Sequence, residues 1–236
     1  MSQIVINYSM KKRLFLVLAI LFLMSSIFLI ACDNKKDIYF DNISELRTDV
    51  FRHTDDIVDI TAMSGQRETN FAIDGLSHNK VEFTVVKVSP VNGIEVNAHF
   101  DYQIKIDSES FTGQLLKHPF NESFSIEIPK ATNGNNLILH LSSEDYQADF
   151  ELVTKFSKDM INYKKALEIA SKKLSNRFAS LTVDKKLNAE IFIRLVEDPR
   201  SPNDNYYWYV ALVDNARNTY AVLIDPINET VLTTRE

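Results

Sequence analysis

The chain has 236 residues, with 32 acidic side chains against 26 basic ones and a formal net charge of −6. An acidic chain with no basic block lacks the electrostatic footprint of a nucleic-acid binder, and a single cysteine excludes an internal disulfide. With 45% hydrophobic residues, 15 Phe and 9 Tyr, the composition excludes general disorder and calls for a packed core.

Lys11-Lys12-Arg13 precede an uncharged run from Leu14 to Ala31. At about 18 residues the run is long enough to cross a bilayer as a permanent anchor. The other reading is a secretory signal, with a basic start, an apolar middle and a small residue at the cleavage point. Leu29-Ile30-Ala31-Cys32 resembles the bacterial lipobox, in which a branched apolar residue, a tolerant position and a small residue precede a lipidated cysteine. The resemblance implies a signal peptide over residues 1–31, cleavage after Ala31 and lipid on Cys32, followed by a lipidated tether over 32–41. Each buried methylene contributes about 0.8 kcal/mol, so two or three acyl chains anchor stably. The protein is then expected at the cell membrane, lipid-anchored on the extracytoplasmic side. Met10, directly before the basic triplet, is an alternative start that gives a signal of ordinary length. Loss of residues 1–31 removes three basic residues and no acid, leaving 23 basic against 32 acidic side chains.

Beyond the tether the pattern has a period of two, the mark of half-buried strands. Glu45 to Thr54 and Ile57 to Met63 read as a hairpin with Asp55-Asp56 at its turn. Ser64-Gly65-Gln66-Arg67-Glu68-Thr69 is polar and contains glycine, which suggests a hairpin tip or bulge. Gln66 and Arg67 are candidate partner contacts there, with a plain turn as the alternative. Alternation recurs in Val81-Phe83-Val85, from Ile94 to Ile106, in Phe124-Ile126-Ile128, in Leu137-Leu139-Leu141 and in Tyr146-Ala148-Phe150-Leu152. Short strands at this spacing predict an antiparallel, immunoglobulin-like β-sandwich over residues 42–155. Glu144, Tyr146 and Ala148 have the spacing of a tyrosine corner, and equally that of a tyrosine on a core face.

Past Phe156 the period changes to that of a helix. Tyr163, Leu167, Ala170, Leu174, Phe178 and Leu181 share one face, which predicts a single amphipathic helix of about six turns. Strand-like runs follow at Ala189 to Glu197, Tyr206 to Asp214, Asn218 to Ile224 and Thr230 to Thr234. The change of period puts a domain boundary at about Lys155, with a small α+β domain over 156–236. Ala166-Leu167-Glu168-Ile169-Ala170, Tyr207-Trp208-Tyr209-Val210, and Tyr220 to Asp225 leading into Thr230-Val231-Leu232 resemble a PepSY-type domain of exported bacterial proteins. That resemblance implies a helix backed by an antiparallel sheet, without enzymatic activity, which contacts or modulates other envelope proteins. The family closes its last turn with glycine where this chain has Glu229. Tyr206 and Trp208 are candidate partner contacts if the helix leaves their face open, and core residues if the strand is covered on both sides.

Signals for catalysis are lacking. The sequence contains no GxSxG, HExxH, CxxC or Walker loop, and five glycines give little material for phosphate cradles. The histidines at 53, 78, 99, 118 and 140 have no metal-ligand spacing, although His99 and His140 would converge if their strands pair. Asp55, Asp56 and Asp59 lack the ordered spacing of a calcium loop, as does Asp198 with Asp204. No metal, cofactor or catalytic residue is therefore expected; a buried carboxylate pair in a cleft would be the sign of a hydrolase. The expected function is a non-catalytic envelope binding or regulatory lipoprotein, with an exported protein or cell-wall partner. The alternative is a cell-wall or small-solute receptor with a concave aromatic site.

Overall fold

A computed structural model describes residues 34–69, 73–76, 78–92, 99–134, 136–144, 146–201 and 205–236. Ala31 and Cys32, and with them the signal and lipidation expectations, lie outside the described residues, as do positions 94–98 of the expected strand ending at Ile106. No described helix is long and apolar enough to cross a membrane. The chain divides at Asp41. Before the division, α1 (Asn34–Asp41) stands where a polar tether was expected.

Residues 42–236 form one compact unit, rich in strands. In chain order they are β1 (Ile43–Thr54), β2 (Val58–Glu68), β3 (Lys80–Pro90), β4 (Asp101–Ile106), β5 (Glu109–Gln114), β6 (Leu116–Lys117), β7 (Phe124–Ile128), β8 (Leu137–Ser142) and β9 (Gln147–Leu152). Two helices follow, α2 (Tyr163–Lys173) and α3 (Ser175–Leu181). Then come β10 (Thr182–Val183), β11 (Lys186–Leu187), β12 (Ala189–Glu197), β13 (Tyr206–Asp214), β14 (Thr219–Ile224) and β15 (Val231–Arg235).

A nine-stranded sheet runs in the order β15-β14-β13-β12-β1-β2-β3-β7-β6, and a four-stranded one in the order β5-β4-β8-β9. Its centre is a parallel pair, β1 beside β12, with Leu46 opposite Ile193 and Arg47 opposite Arg194. Strands from both sides of Lys155 therefore share one sheet, where sequence periodicity placed separate ones. The period change at Lys155 marks a local switch from strand to helix, and periodicity carries no information about which strands pair.

The β1–β2 hairpin forms as expected, with Thr54 opposite Asp59. Asp55 builds the turn, its Oδ1 accepting the Ile57 and Val58 amides at 2.8 and 2.7 Å. Ser64 to Glu68, expected as a turn or bulge, instead continues β2 in register with β3. The irregularity is on the opposite strand, where β1 shifts register between Arg47 and Asp49. Gly65 is required by that approach: a Cβ would stand 1.9 Å from the Leu46 carbonyl oxygen.

One side of β1, β2, β3 and β7 shares a core with the four-stranded sheet, including Phe51, Ile60, Val86, Phe100, Ile104 and Leu139. Phe100 meets Phe124 edge-on at 5.0 Å, and Tyr146 packs edge-on against Phe100 at 6.4 Å. The sheets also touch through the Phe51–Thr154 bridge.

The expected six-turn helix is two helices. Asn162 caps α2, its Oδ1 accepting the Lys165 amide at 3.0 Å. At Leu174 the backbone leaves helical geometry (φ −97°, ψ 29°), and α3 restarts from its carbonyl, which accepts the Phe178 amide at 3.0 Å. Apolar residues continue in step across the break, so the hydrophobic period alone does not register it. The buried residues of α2 are Ala166, Leu167 and Ala170.

Candidate functional site

Cross-strand partners share a face of the sheet, and the register sorts the C-terminal strands unambiguously. Trp208, Val210 and Leu212 pair with Ile224, Val222 and Tyr220. This is the helix side: Arg177 of α3 lies over the Tyr220 ring at 4.6 Å, and Trp208 Nε1–H donates to the Ile161 carbonyl at 2.8 Å. Phe156 meets the Trp208 ring at 6.1 Å. Tyr206 is 5% exposed and Trp208 0%. The two aromatics named as candidate contacts are thus core residues, because the chain from Phe156 into α2 covers the face they share.

The opposite face carries Tyr207 and Tyr209, both half-buried. Across it runs a row formed by Arg194, Tyr209 and Leu223, and a second formed by Phe192, Ala211 and Ala221. The apolar cluster on this side contains Phe192, Ala211 and Ala221 with Tyr209 and Val213, drawn only from β12, β13 and β14. No second layer contributes to it among the described residues. The Arg194 guanidinium lies 5.2 Å from the Phe192 ring.

The same face continues over β1, β2 and β3 as a strip of arginines held by acids. Arg194 Nη2 donates to Glu45 Oε2 at 2.8 Å, and Glu45 also meets Arg47, whose Nη1 reaches Met63 Sδ at 2.9 Å. Arg52 bridges Glu197 at 2.6 Å and Asp59 at 3.1 Å. Arg67 stacks over Phe83 at 5.0 Å and pairs with Glu127. Arg67, a residue singled out from sequence, therefore lies on the same face as Tyr209, with its side chain 42% exposed. Gln66 is exposed and points to the other side of β2. The alternation of the aromatic tetrad was legible in sequence, but which side the helix covers was not.

Other features offer less chemistry. A cavity of about 520 Å³ on the outer side of the four-stranded sheet is lined by Lys105, Asp107, Gly134, Asn136, Ile138 and Glu151. It has no aromatic lining, whereas small-molecule sites are mostly apolar and aromatic. His140 pairs with Asp149 on the neighbouring strand at 2.6 Å, and His99 is exposed. Among the described residues no group of three or more His, Cys, Asp or Glu is arranged to hold a metal ion.

Several carboxyls are set by turns. The Arg200 amide holds Asp198 below its usual value, and the Asn228 amide does the same for Asp225. Asp49 moves the other way, raised by burial despite hydrogen bonds from Thr48 and Thr154. No family model matches the chain, and no curated protein or solved structure matches it.

Proposed function

We propose that the protein is a bacterial lipoprotein anchored through Cys32 on the extracytoplasmic side of the membrane, where it binds and regulates another exported protein without catalysis. The sheet face that carries Arg194, Tyr209 and Leu223 is its contact surface. One observation carries this reading: Tyr209 stands half-exposed between Arg194 and Leu223, on a face whose apolar cluster is drawn only from its own strands. Arg and Tyr beside an aliphatic residue are the side chains that dominate protein interfaces. Acids already neutralise the arginines, so the face suits a partner of mixed polarity rather than a polyanion.

The lipobox-like Leu29-Ile30-Ala31-Cys32 supports the anchor. Two sheets with a common core support an immunoglobulin-like sandwich in the N-terminal half, and helices on one side of β12–β15 support the PepSY-type reading of the C-terminal segment.

Two experiments test it. Intact mass of the purified membrane protein should show an acylated N-terminal cysteine, and Cys32→Ser should leave the protein unacylated and still carrying its apolar N-terminal segment; unmodified Cys32 would overturn the anchor. Tyr209→Glu should abolish partner capture in protein that still unfolds in one cooperative transition, and undiminished capture would overturn the surface.

A further inference from the structure

Charge is unevenly spread over the C-terminal half. Residues 158–186, which run through α2, α3 and the β10–β11 hairpin, carry eight basic side chains against three acidic ones, in a chain whose formal net charge is −6. Seven of the eight are lysines. Only two of these form ion pairs among the described residues: Lys172 meets Glu168 at 2.8 Å, and Lys165 lies 3.8 Å from Glu168 and 3.6 Å from Glu229. Glu168 is the only acid on α2. Lys158, Lys164, Lys173, Lys185 and Lys186 are exposed and have no carboxylate partner among the described residues. The other side of the sheet differs, because a carboxylate holds each of Arg47, Arg52, Arg67 and Arg194.

Helix electrostatics explains only part of this pattern. Lys172 and Lys173 stand in the last turn of α2, where cations complement the helix dipole. Lys164 and Lys165 stand in the first turn, where cations oppose it, and no acid accompanies them there. One helix therefore keeps cations at both ends, against its own dipole at one of them. Packing fixes the side they occupy: Ala166, Leu167 and Ala170 are buried as α2 lies on β13 and β14, so Lys165, Glu168 and Lys172 point outward. On the hairpin after α3, Val183 is 53% exposed and pairs with Lys186. An apolar side chain among lysines is the composition of an interfacial contact.

We propose that this lysine face rests on the anionic phospholipid of the bilayer, and that it turns the Tyr209 face of the same sheet away from the membrane and toward the partner. The inference rests on the anchor proposed above, which confines the sheet unit to a tether's length from lipid phosphates. Lysines are compact, hydrated point charges that suit a diffuse anionic surface, whereas arginine is the side chain for phosphates held in fixed geometry. The one arginine of the segment, Arg177, is engaged on the Tyr220 ring. Each cation close to such a surface raises the bound population about fivefold, and the paired arginines of the opposite face offer no comparable attraction.

The test places the purified full-length protein in phosphatidylcholine vesicles and in vesicles with about a third phosphatidylglycerol. A brief pulse of an amine-reactive ester is then mapped onto the lysines by mass spectrometry. Lys164, Lys172 and Lys185 should react about fivefold more slowly in the anionic vesicles, and should recover at about 1 M salt, where the screening length is about 3 Å. Lys80, Lys87 and Lys105, exposed on β3 and β4, should react alike in both. Flotation with the neutral vesicles reads attachment through the N-terminus by itself, so failure of the anchor and failure of the face are separate results. Equal rates at Lys164, Lys172 and Lys185 in the two vesicles overturn the proposal whether or not the protein floats, as does equal slowing of the three control lysines. Slowing by soluble polyphosphate with none from phosphatidylglycerol also overturns it, and assigns the face to a polyanion.

Discussion

Replacing Gly65 with alanine tests the central hairpin directly. In an ordinary strand the change helps, by about 0.5–1 kcal/mol, because glycine loses the most backbone freedom on folding. Here the added methyl would lie 1.9 Å from the Leu46 carbonyl oxygen and 2.9 Å from both Leu46 C and Arg47 Cα. All three are backbone atoms of β1, so no side chain can swing aside. Overpacking of this kind costs about 1–3 kcal/mol, and moving β1 at its bulge sacrifices about one ladder hydrogen bond, worth about 1 kcal/mol. After subtracting the glycine gain the net loss is about 2 kcal/mol, or about 4–8 °C in Tm for a chain of this size. Thermal and urea unfolding read it, with Gly113→Ala as the control. There the nearest atom is the Tyr102 hydroxyl at 3.1 Å, on a side chain able to yield, and the loss should stay below about 1 kcal/mol. Gly65→Ala within about 0.5 kcal/mol of the parent chain would refute the reasoning and restore Ser64–Thr69 as a turn.

Other substitutions test separate parts of the account. Trp208→Phe keeps a buried ring but leaves the Ile161 carbonyl without its donor, a loss of about 1–3 kcal/mol in urea unfolding. Asn162→Ala removes the α2 cap and should cost about 1 kcal/mol by the same assay. Glu229 itself takes φ +57°. Glu229→Gly should therefore raise stability by about 0.5 kcal/mol, the relieved strain of about 1–2 kcal/mol exceeding the entropy cost of glycine and a weak pair with Lys165 at 3.6 Å. Burial raises Asp49, so the native state resists its ionisation: stability should fall as pH rises from the ordinary value of 3.8 through the raised one, and Asp49→Asn should flatten that part of the pH profile.

What the sequence disclosed follows from the range of each interaction. The Asp55 turn, the β1–β2 hairpin and the alternation through Tyr102, Ile104 and Ile106 depend on neighbours a few residues apart, and the residue pattern shows them. The parallel pairing of Ile43 with Ile191 joins residues far apart in the chain, and no local pattern encodes it. Gly65 looked like a turn glycine because polar residues flank it, whereas its role is to admit a backbone carbonyl from the next strand. For the candidate surface, alternation separated Tyr206 and Trp208 from Tyr207 and Tyr209, but the helix that decides between them is a tertiary partner. Arg67 was legible as a polar residue in an unusual place, while Arg47, Arg52 and Arg194 were not, since their common face arises only when β1 and β12 pair. The absence of a glycine at Glu229 was visible, and the backbone meets it by placing glutamate in the left-handed region.

The most direct test of the central claim is site-specific photocrosslinking in intact cells. A photoreactive phenylalanine derivative at position 209 samples the face that carries Arg194 and Leu223, and one at position 172 samples the solvent side of α2, where Lys172 is 73% exposed. The account predicts a discrete protein adduct from position 209 that is lost when Arg194 is also changed to alanine, with none from position 172. An adduct only from position 172, or one at 209 indifferent to Arg194, would contradict it.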